Sequence, residues 1–234
     1  MKIDLNCDLG EGIGNDEAIM PYITSANIAC GFHAGDEKTM RETIRLAKRF
    51  NINIGAHPSW EDRENFGRVE MNLSPDEAQK IVSYQIDLFS KICKEENAIL
   101  SHVKPHGALY NQSARDDELA RVIVHAIKSV GEDLILVGLA GSRSIEAGIK
   151  MRIRVAREGF PDRRYNSDGS LMSRNISGAV IESSVEVAHH ALTLIQGGGL
   201  DTLCLHGDNL NAVENAKLLR DVLEKNGVDV VGIS

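Results

Sequence analysis

Hydrophobic residues recur along this chain in two alternating rhythms. Short runs of alternating polar and apolar positions end in Gly, His or Pro, and the longer segments between them carry apolar residues at helical spacing. The short runs predict strands over Ile3–Leu9, Asn27–Phe32, Ile52–His57, Ile99–His106, Leu134–Leu139, Ile153–Glu158, Thr202–His206 and Val228–Ile233. The longer segments predict helices near Asp36–Phe50, Pro75–Glu96, Asp116–Ser129, Ser142–Gly148, Ser184–Ile195 and Ala212–Lys225. Ser74-Pro75-Asp76-Glu77 is a strong helix start: a capping hydroxyl, a proline that needs no N–H partner, and acids in the first turn. Strand-then-helix alternation implies a parallel sheet, either open or closed.

Side-chain parity decides between the two. On the first strand Asp4, Asn6 and Asp8 share one face and Ile3, Leu5 and Cys7 the other. The second opposes Asn27, Ala29, Gly31 and His33 to Ile28, Cys30 and Phe32, and the fourth aligns His102, Lys104 and His106. A parallel strand covered by helices on both faces should be apolar on both. Strands with one polar face that are nevertheless joined by helices fit a barrel, apolar outward and polar inward. The expectation is a single-domain α/β fold, a distorted (β/α) barrel of seven or eight mostly parallel strands. No Pro- or Ser-rich linker and no repeat divides the 234 residues.

Active sites of such barrels sit at the C-terminal strand ends. Those positions hold Asp8 and Glu11, His33 and Asp36, His57, Lys104 and His106, Glu158 and Asp162, and His206 and Asp208. One strand-end histidine is usually a hydrogen-bonded structural residue. Four on separate strands, each beside a carboxylate, Lys or Gly, point to chemistry. Histidine with Asp or Glu serves acid–base catalysis near neutral pH; the same residue types ligate divalent ions, here from Asp8, His33 and His57. Lys104 is a candidate oxyanion stabiliser, and Arg163 and Arg174 are candidate clamps for a substrate carboxylate. Asn6 lies on the same inward face as Asp8.

Composition narrows the function classes. Twenty-six Lys and Arg stand against 34 Asp and Glu, a net charge of −8 with no basic tract, so nucleic acid is a poor partner. No apolar run approaches the ~20 residues of a membrane span. The sequence enters a strand-like pattern at once (Met-Lys-Ile-Asp-Leu-Asn), leaving no room for an export signal. Cys7, Cys30, Cys93 and Cys204 form no CxxC and read as reduced, packed thiols of a cytoplasmic protein. There is no GxxxxGK[ST], and Gly10, Gly12 and Gly14 do not match GxGxxG.

Several long motifs resemble the LamB/YcsF family: residues 3–11 (IDLNCDLGE), 27–36 (NIACGFHAGD), 55–59 (GAHPS), 103–111 (VKPHGALYN) and 206–208 (HGD). The resemblance runs from the first strand to the last helix. It implies a barrel related to the glycoside hydrolase/deacetylase superfamily. It implies hydrolysis of 5-oxo-L-proline to L-glutamate with cleavage of ATP to ADP and phosphate, with Mg²⁺ accompanying ATP and two further 5-oxoprolinase subunits, B and C. Such a reaction needs a base for water, a cation or N–H groups for oxyanion charge, and a carboxylate anchor. Asp8, Glu11, His33, His57, Lys104, His106, His206 and Asp208 would supply the chemistry, and Asn6, Arg163 and Arg174 the binding. Asn209-Leu210 replaces the family's usual Thr-Pro, Trp60-Glu61 its usual Tyr-Pro, and Ile13 a common aromatic. Two other functions fit the residues: metal-dependent hydrolysis of a small amide or sugar, and non-catalytic metabolite binding.

Overall fold

The computed structural model describes residues 1–207 and 211–234. Its elements run β1 (Lys2–Leu9), α1 (Asp16–Ile19), a 3₁₀ turn (Met20–Tyr22), β2 (Ser25–Ala29), α2 (Glu37–Arg49), β3 (Asn53–His57) and α3 (Pro75–Glu95). Then follow β4 (Leu100–Val103), α4 (Gly107–Ser113), α5 (Asp117–Val130), β5 (Ile135–Leu139), α6 (Arg143–Lys150) and β6 (Arg154–Gly159). The chain ends with α7 (Ser184–Gln196), β7 (Thr202–His206), α8 (Ala212–Lys225) and β8 (Asp229–Val230).

The strands pair in the order β2-β3-β4-β5-β6-β7-β1, and β1 pairs back onto β2, closing a seven-stranded barrel. Every strand pairing is parallel. The closure is uneven. β6 and β7 share only Glu158↔Thr202 and Gly159↔Leu203, whereas β1 and β7 share five positions from Asp4 to Asp8. β8 joins β1 at Lys2 and Ile3, ahead of the point where β2 pairs from Asn6.

Parity produces the expected two-faced wall. Leu5, Cys7, Leu9, Ile28, Ala56, Val103, Leu136, Leu203 and Leu205 face the helices in one continuous core with Ile44, Val82, Ile86, Phe89, Ile123 and Leu219. Full burial of a Leu- or Ile-sized side chain contributes ~1.5–3 kcal/mol, so this outer shell carries much of the stability. The inward positions are polar and equally buried: Asp4, Asn6, Asn27, His102, Glu158 and Thr202. Asp4 is satisfied there by the hydroxyls of Thr24, Ser25 and Thr202. In one sector the inward residues are apolar: Ile135, Val137 and Ala156 pack with Ile233 of the C-terminal segment.

Three expectations shift. The second strand spans Ser25–Ala29, because Gly31 adopts φ +94° and turns the chain before Phe32. The fourth stops at Val103, since Pro105 has no N–H for the ladder. Helix α4 follows at once, an element too short for its periodicity to stand out. Asp36, a strand-end candidate, is the N-cap of α2, accepting from the Thr39 N–H.

Candidate active site

The inward residues of β1, β2, β4, β6 and β7 form one hydrogen-bonded network around Lys104. Its Nζ lies 2.9 Å from Asp8 Oδ1, 3.0 Å from Glu158 Oε1 and 2.9 Å from Cys204 Sγ. Its hydrogen bonds go to Asp8, Cys204 and, at 3.4 Å, Asn6 Oδ1, with Glu158 as its second ion-pair partner. Burial works against the Lys104 charge, but the Asp8 and Glu158 carboxylates outweigh it and hold the ammonium above its usual range. Asn6 bridges Glu158 and Thr202, Asn27 joins Asn6 to Asp8, and Tyr110 donates to Glu158 Oε2 at 2.8 Å. Asp8 is likewise penalised by burial, yet His57 and Lys104 hold it well below the usual carboxylate range. One buried cation thus bridges two buried carboxylates, which fixes their positions.

Beside this network, four residues from successive strand ends converge. His57, ending β3, directs Nδ1 at the Lys104 carbonyl (2.7 Å) and Nε2 toward Asp8 Oδ2 (3.3 Å). His106, capping α4, directs Nε2 at the Phe66 carbonyl and Nδ1 at His57 Nε2, both at 2.9 Å. His33 stacks on His106 with ring centroids 3.8 Å apart and meets Glu11 Oε1 at 3.2 Å through Nε2. Burial, reinforced by the neighbouring imidazoles, pushes both His33 and His106 well below the usual histidine range. Phe66 holds φ +57°, a left-handed conformation rare for an aromatic residue, and the adjacent Gly67 packs against both rings. An alanine Cβ at Gly67 would approach His106 Cδ2 and His33 Cβ to 2.9 Å.

A second imidazole–carboxylate unit lies across the mouth. Asp162 Oδ2 accepts from both the His206 backbone N–H (3.1 Å) and its Nδ1 (2.9 Å), so the ring's Nε2 is left as an acceptor. Phe160 stacks on the His206 ring at 5.4 Å. Burial alone would raise the Asp162 carboxyl; its pairing with His206 outweighs that and lowers it.

One cavity of about 970 Å³ lies at this mouth, and Arg68, Arg115, Arg143 and Arg174 are part of its lining. Of the sequence candidates, Asp8, Glu11, His57, Lys104, His106, His206, Arg163 and Arg174 line it. Asn6 and His33 sit just behind, bonded to residues that do. Arg163 is buried and donates to the Met172 carbonyl, bracing the loop that carries Arg174. Asp208 and the Asn209-Leu210 departure lie outside the described residues. Trp60, at a second departure, is buried and donates to Gln112.

Sequence reading passed over Cys204 as mere packing. Its inward parity with Thr202 and His206 was the available signal. Phe66 acts through its backbone, which no side-chain pattern reveals.

Comparison with known proteins agrees with this architecture. Residues 3–234 match the model of the LamB/YcsF family. A protein from Pyrococcus furiosus, named as the A subunit of 5-oxoprolinase, is 46% identical over 248 residues, covering 99% of this chain and 97% of that one. Its namesake from Thermococcus sibiricus is 45% identical, covering 100% and 98%. The crystal structure of a lactam utilization protein from Thermus thermophilus superposes with a TM-score of 0.91 at 42% identity, covering 100% of both chains. A family 4 carbohydrate esterase from Streptomyces lividans has a TM-score of 0.55 at 10% identity, covering 100% of this chain and 93% of that one, a likeness of fold alone. With the whole barrel and its mouth inside the matched residues, the chain belongs to the LamB/YcsF family.

Proposed function

We propose that this chain is the barrel subunit of an ATP-dependent 5-oxoprolinase. It would open 5-oxo-L-proline to L-glutamate with cleavage of ATP to ADP and phosphate, in a complex with subunits B and C. The observation that carries this reading is the convergence, in one cavity, of an Asp162-oriented imidazole, the Asp8 network and Arg163 with Arg174. The names of the Pyrococcus and Thermococcus relatives support the substrate.

A lactam is a stable amide. Transfer of the γ-phosphoryl group to its oxygen releases ADP and makes the ring carbon electrophilic. Water adds at that carbon, giving its proton to a base. The tetrahedral adduct collapses by breaking the C–N bond, and the nitrogen takes a proton. The resulting acyl phosphate takes a second water, yielding glutamate and phosphate.

His206 is the base this chain offers for water, since Asp162 holds the Nδ1 proton and leaves Nε2 facing the cavity. Asp8, fixed by Lys104 and Asn27, would position water or return the proton to nitrogen. Lys104, hydrogen-bonded to Asn6, Asp8 and Cys204 and paired with Glu158, acts by holding Asp8 and Glu158 in place. Arg174 and Arg163 would receive the substrate carboxylate. Mg²⁺·ATP would approach over the arginine-lined rim, with partner subunits completing the phosphate site.

The test is glutamate release from 5-oxoproline with ATP and Mg²⁺. The three-subunit complex should turn over, and the isolated chain should not. Turnover by the isolated chain at the rate of the complex would overturn the dependence on partners. A second reading, ATP-independent hydrolysis of a small amide, is favoured by the imidazole cluster; glutamate formation that needs no ATP would select it.

A further inference from the structure

The two tautomers fixed at the barrel mouth leave a place that hydrogen bonding does not fill. A carbonyl oxygen only accepts, so His57 must carry its proton on Nδ1, facing the Lys104 carbonyl, and His106 on Nε2, facing the Phe66 carbonyl. With those tautomers the rings direct lone pairs at each other, His57 Nε2 to His106 Nδ1, across 2.9 Å, and His57 Nε2 also faces Asp8 Oδ2 at 3.3 Å. Glu11 Oε1, a pure acceptor when ionised, sits 3.6 Å from that same His106 nitrogen and 3.2 Å from His33 Nε2. The other nitrogen of the His33 ring, Nδ1, is buried without a hydrogen-bond partner. Two acceptor nitrogens thus face each other with no proton between them, and the Glu11 carboxylate stands beside the pair, an arrangement that a cation between them would relieve.

We propose that Glu11, His33, His57 and His106 form a binding site for one divalent ion of the zinc class. One ligand atom from each of the four lies within 4.8 Å of the others. In a tetrahedral site with bonds of ~2.0–2.1 Å, neighbouring ligand atoms stand ~3.3–3.4 Å apart. The distances here of 2.9, 3.2 and 3.6 Å bracket that edge. Imidazole nitrogens outnumber carboxylate oxygens, which favours zinc, cobalt or nickel over magnesium or calcium.

The surroundings match what metal-binding histidines require. Such rings usually donate their outer N–H to a carbonyl or carboxylate, which sets tautomer and orientation. His57 and His106 both do so, and one of the two carbonyls belongs to Phe66 in its left-handed conformation. Backbone strain maintained beneath a ligand is a mark of a functional position. Gly67 leaves room for both histidines, where a Cβ would press on the His106 ring and on His33 Cβ. Asp62 secures this loop by accepting from the Asn65 and Val69 N–H groups. A bound ion would supply positive charge for an oxygen at the cavity wall. The proposal is independent of the substrate's identity.

The competing occupant is a single proton shared between the two inner nitrogens. The full chain, stripped with chelator and verified as folded by circular dichroism, is titrated with Co²⁺ and followed by visible d–d absorption. Calorimetry then measures Zn²⁺ binding. The expected result is saturation at one equivalent, with Zn²⁺ displacing Co²⁺. His106→Gln and Glu11→Gln should each weaken Zn²⁺ by more than the ~10–100-fold that loss of an outer-shell partner costs. Asp162→Asn, across the mouth, should leave the affinity unchanged. Glu11 lies in a turn, so its variant keeps the test valid even if the buried His106 substitution misfolds. No saturable binding by the folded chain would overturn the proposal in favour of the shared proton. Equal affinity in both ligand variants, or loss on Cys204→Ala instead, would overturn the assignment to these residues.

Discussion

Replacing Asp162 by Asn tests the role of the imidazole–carboxylate pair without emptying space. Asp162 is 1% exposed and accepts from both the backbone N–H and Nδ1 of His206. An amide of the same shape keeps one acceptor but turns an NH₂ toward the ring or the backbone. The relief is a tautomer flip that puts the His206 proton on Nε2, where it can no longer take one from water. General bases contribute ~10²–10⁴-fold to rate, and the equivalent change in the Ser–His–Asp arrangement costs ~10⁴-fold in kcat. The expected fall in kcat is therefore ~10²–10⁴-fold, with KM little changed because the rim arginines are untouched. Loss of a charge-assisted hydrogen bond costs ~1.5–3 kcal/mol, so the variant should melt earlier but fold. The sign of its pH dependence follows from the lowered carboxyl. The stability Asp162 contributes is full above its unfolded value of ~3.9 and drains as pH falls through its lower folded value, so the cost of substitution should shrink in acid. Glutamate release by the reconstituted complex, with thermal unfolding of the variant alone, reads both effects. A kcat within tenfold of wild type would refute His206 as the base.

Lys104→Met should destabilise by about 3–5 kcal/mol in urea unfolding at neutral pH, since it strands Asp8 and Glu158 as buried charges without their cation; a cost below about 1 kcal/mol would contradict the network. Gly55→Ala would drive a Cβ into the His102 imidazole, a ring held by Ser101 and Asn27. Overpacking of this kind costs ~1–3 kcal/mol, read as a lower urea midpoint, and an unchanged midpoint would mean the ring can move. Asp36→Ala should lower Tm by about 2–4 °C and leave kcat unchanged, as expected of a helix cap rather than a site residue; lost turnover would return Asp36 to the site.

The barrel was legible because its wall obeys a period of two. Asp4, Asn6 and Asp8 could not all face helices, and closure was the arrangement that gave them an interior. Asp8, His57 and Lys104 were readable for the same reason: each lies on the inward parity at or near a strand's C-terminal end. What closure itself creates was not readable. That Lys104 meets Glu158 and Cys204 depends on β4, β6 and β7 being wrapped into one ring, a relation across 54 and 100 positions that local pattern does not encode. Asp36 misled because a capping aspartate and a catalytic one occupy the same place in sequence, just after a strand and just before a helix. Phe66 was invisible because its contribution is a carbonyl oxygen aimed by an unusual φ.

The most direct test is turnover by the reconstituted three-subunit complex carrying Asp8→Asn. Asp8 touches His57, Lys104 and Asn27 and lines the cavity, so it belongs to every step placed at this barrel mouth. If the lactam is opened here, glutamate release should fall by at least ~10²-fold while native mass spectrometry shows an intact complex. Glutamate release at the wild-type rate from that complex would place the chemistry on a different chain.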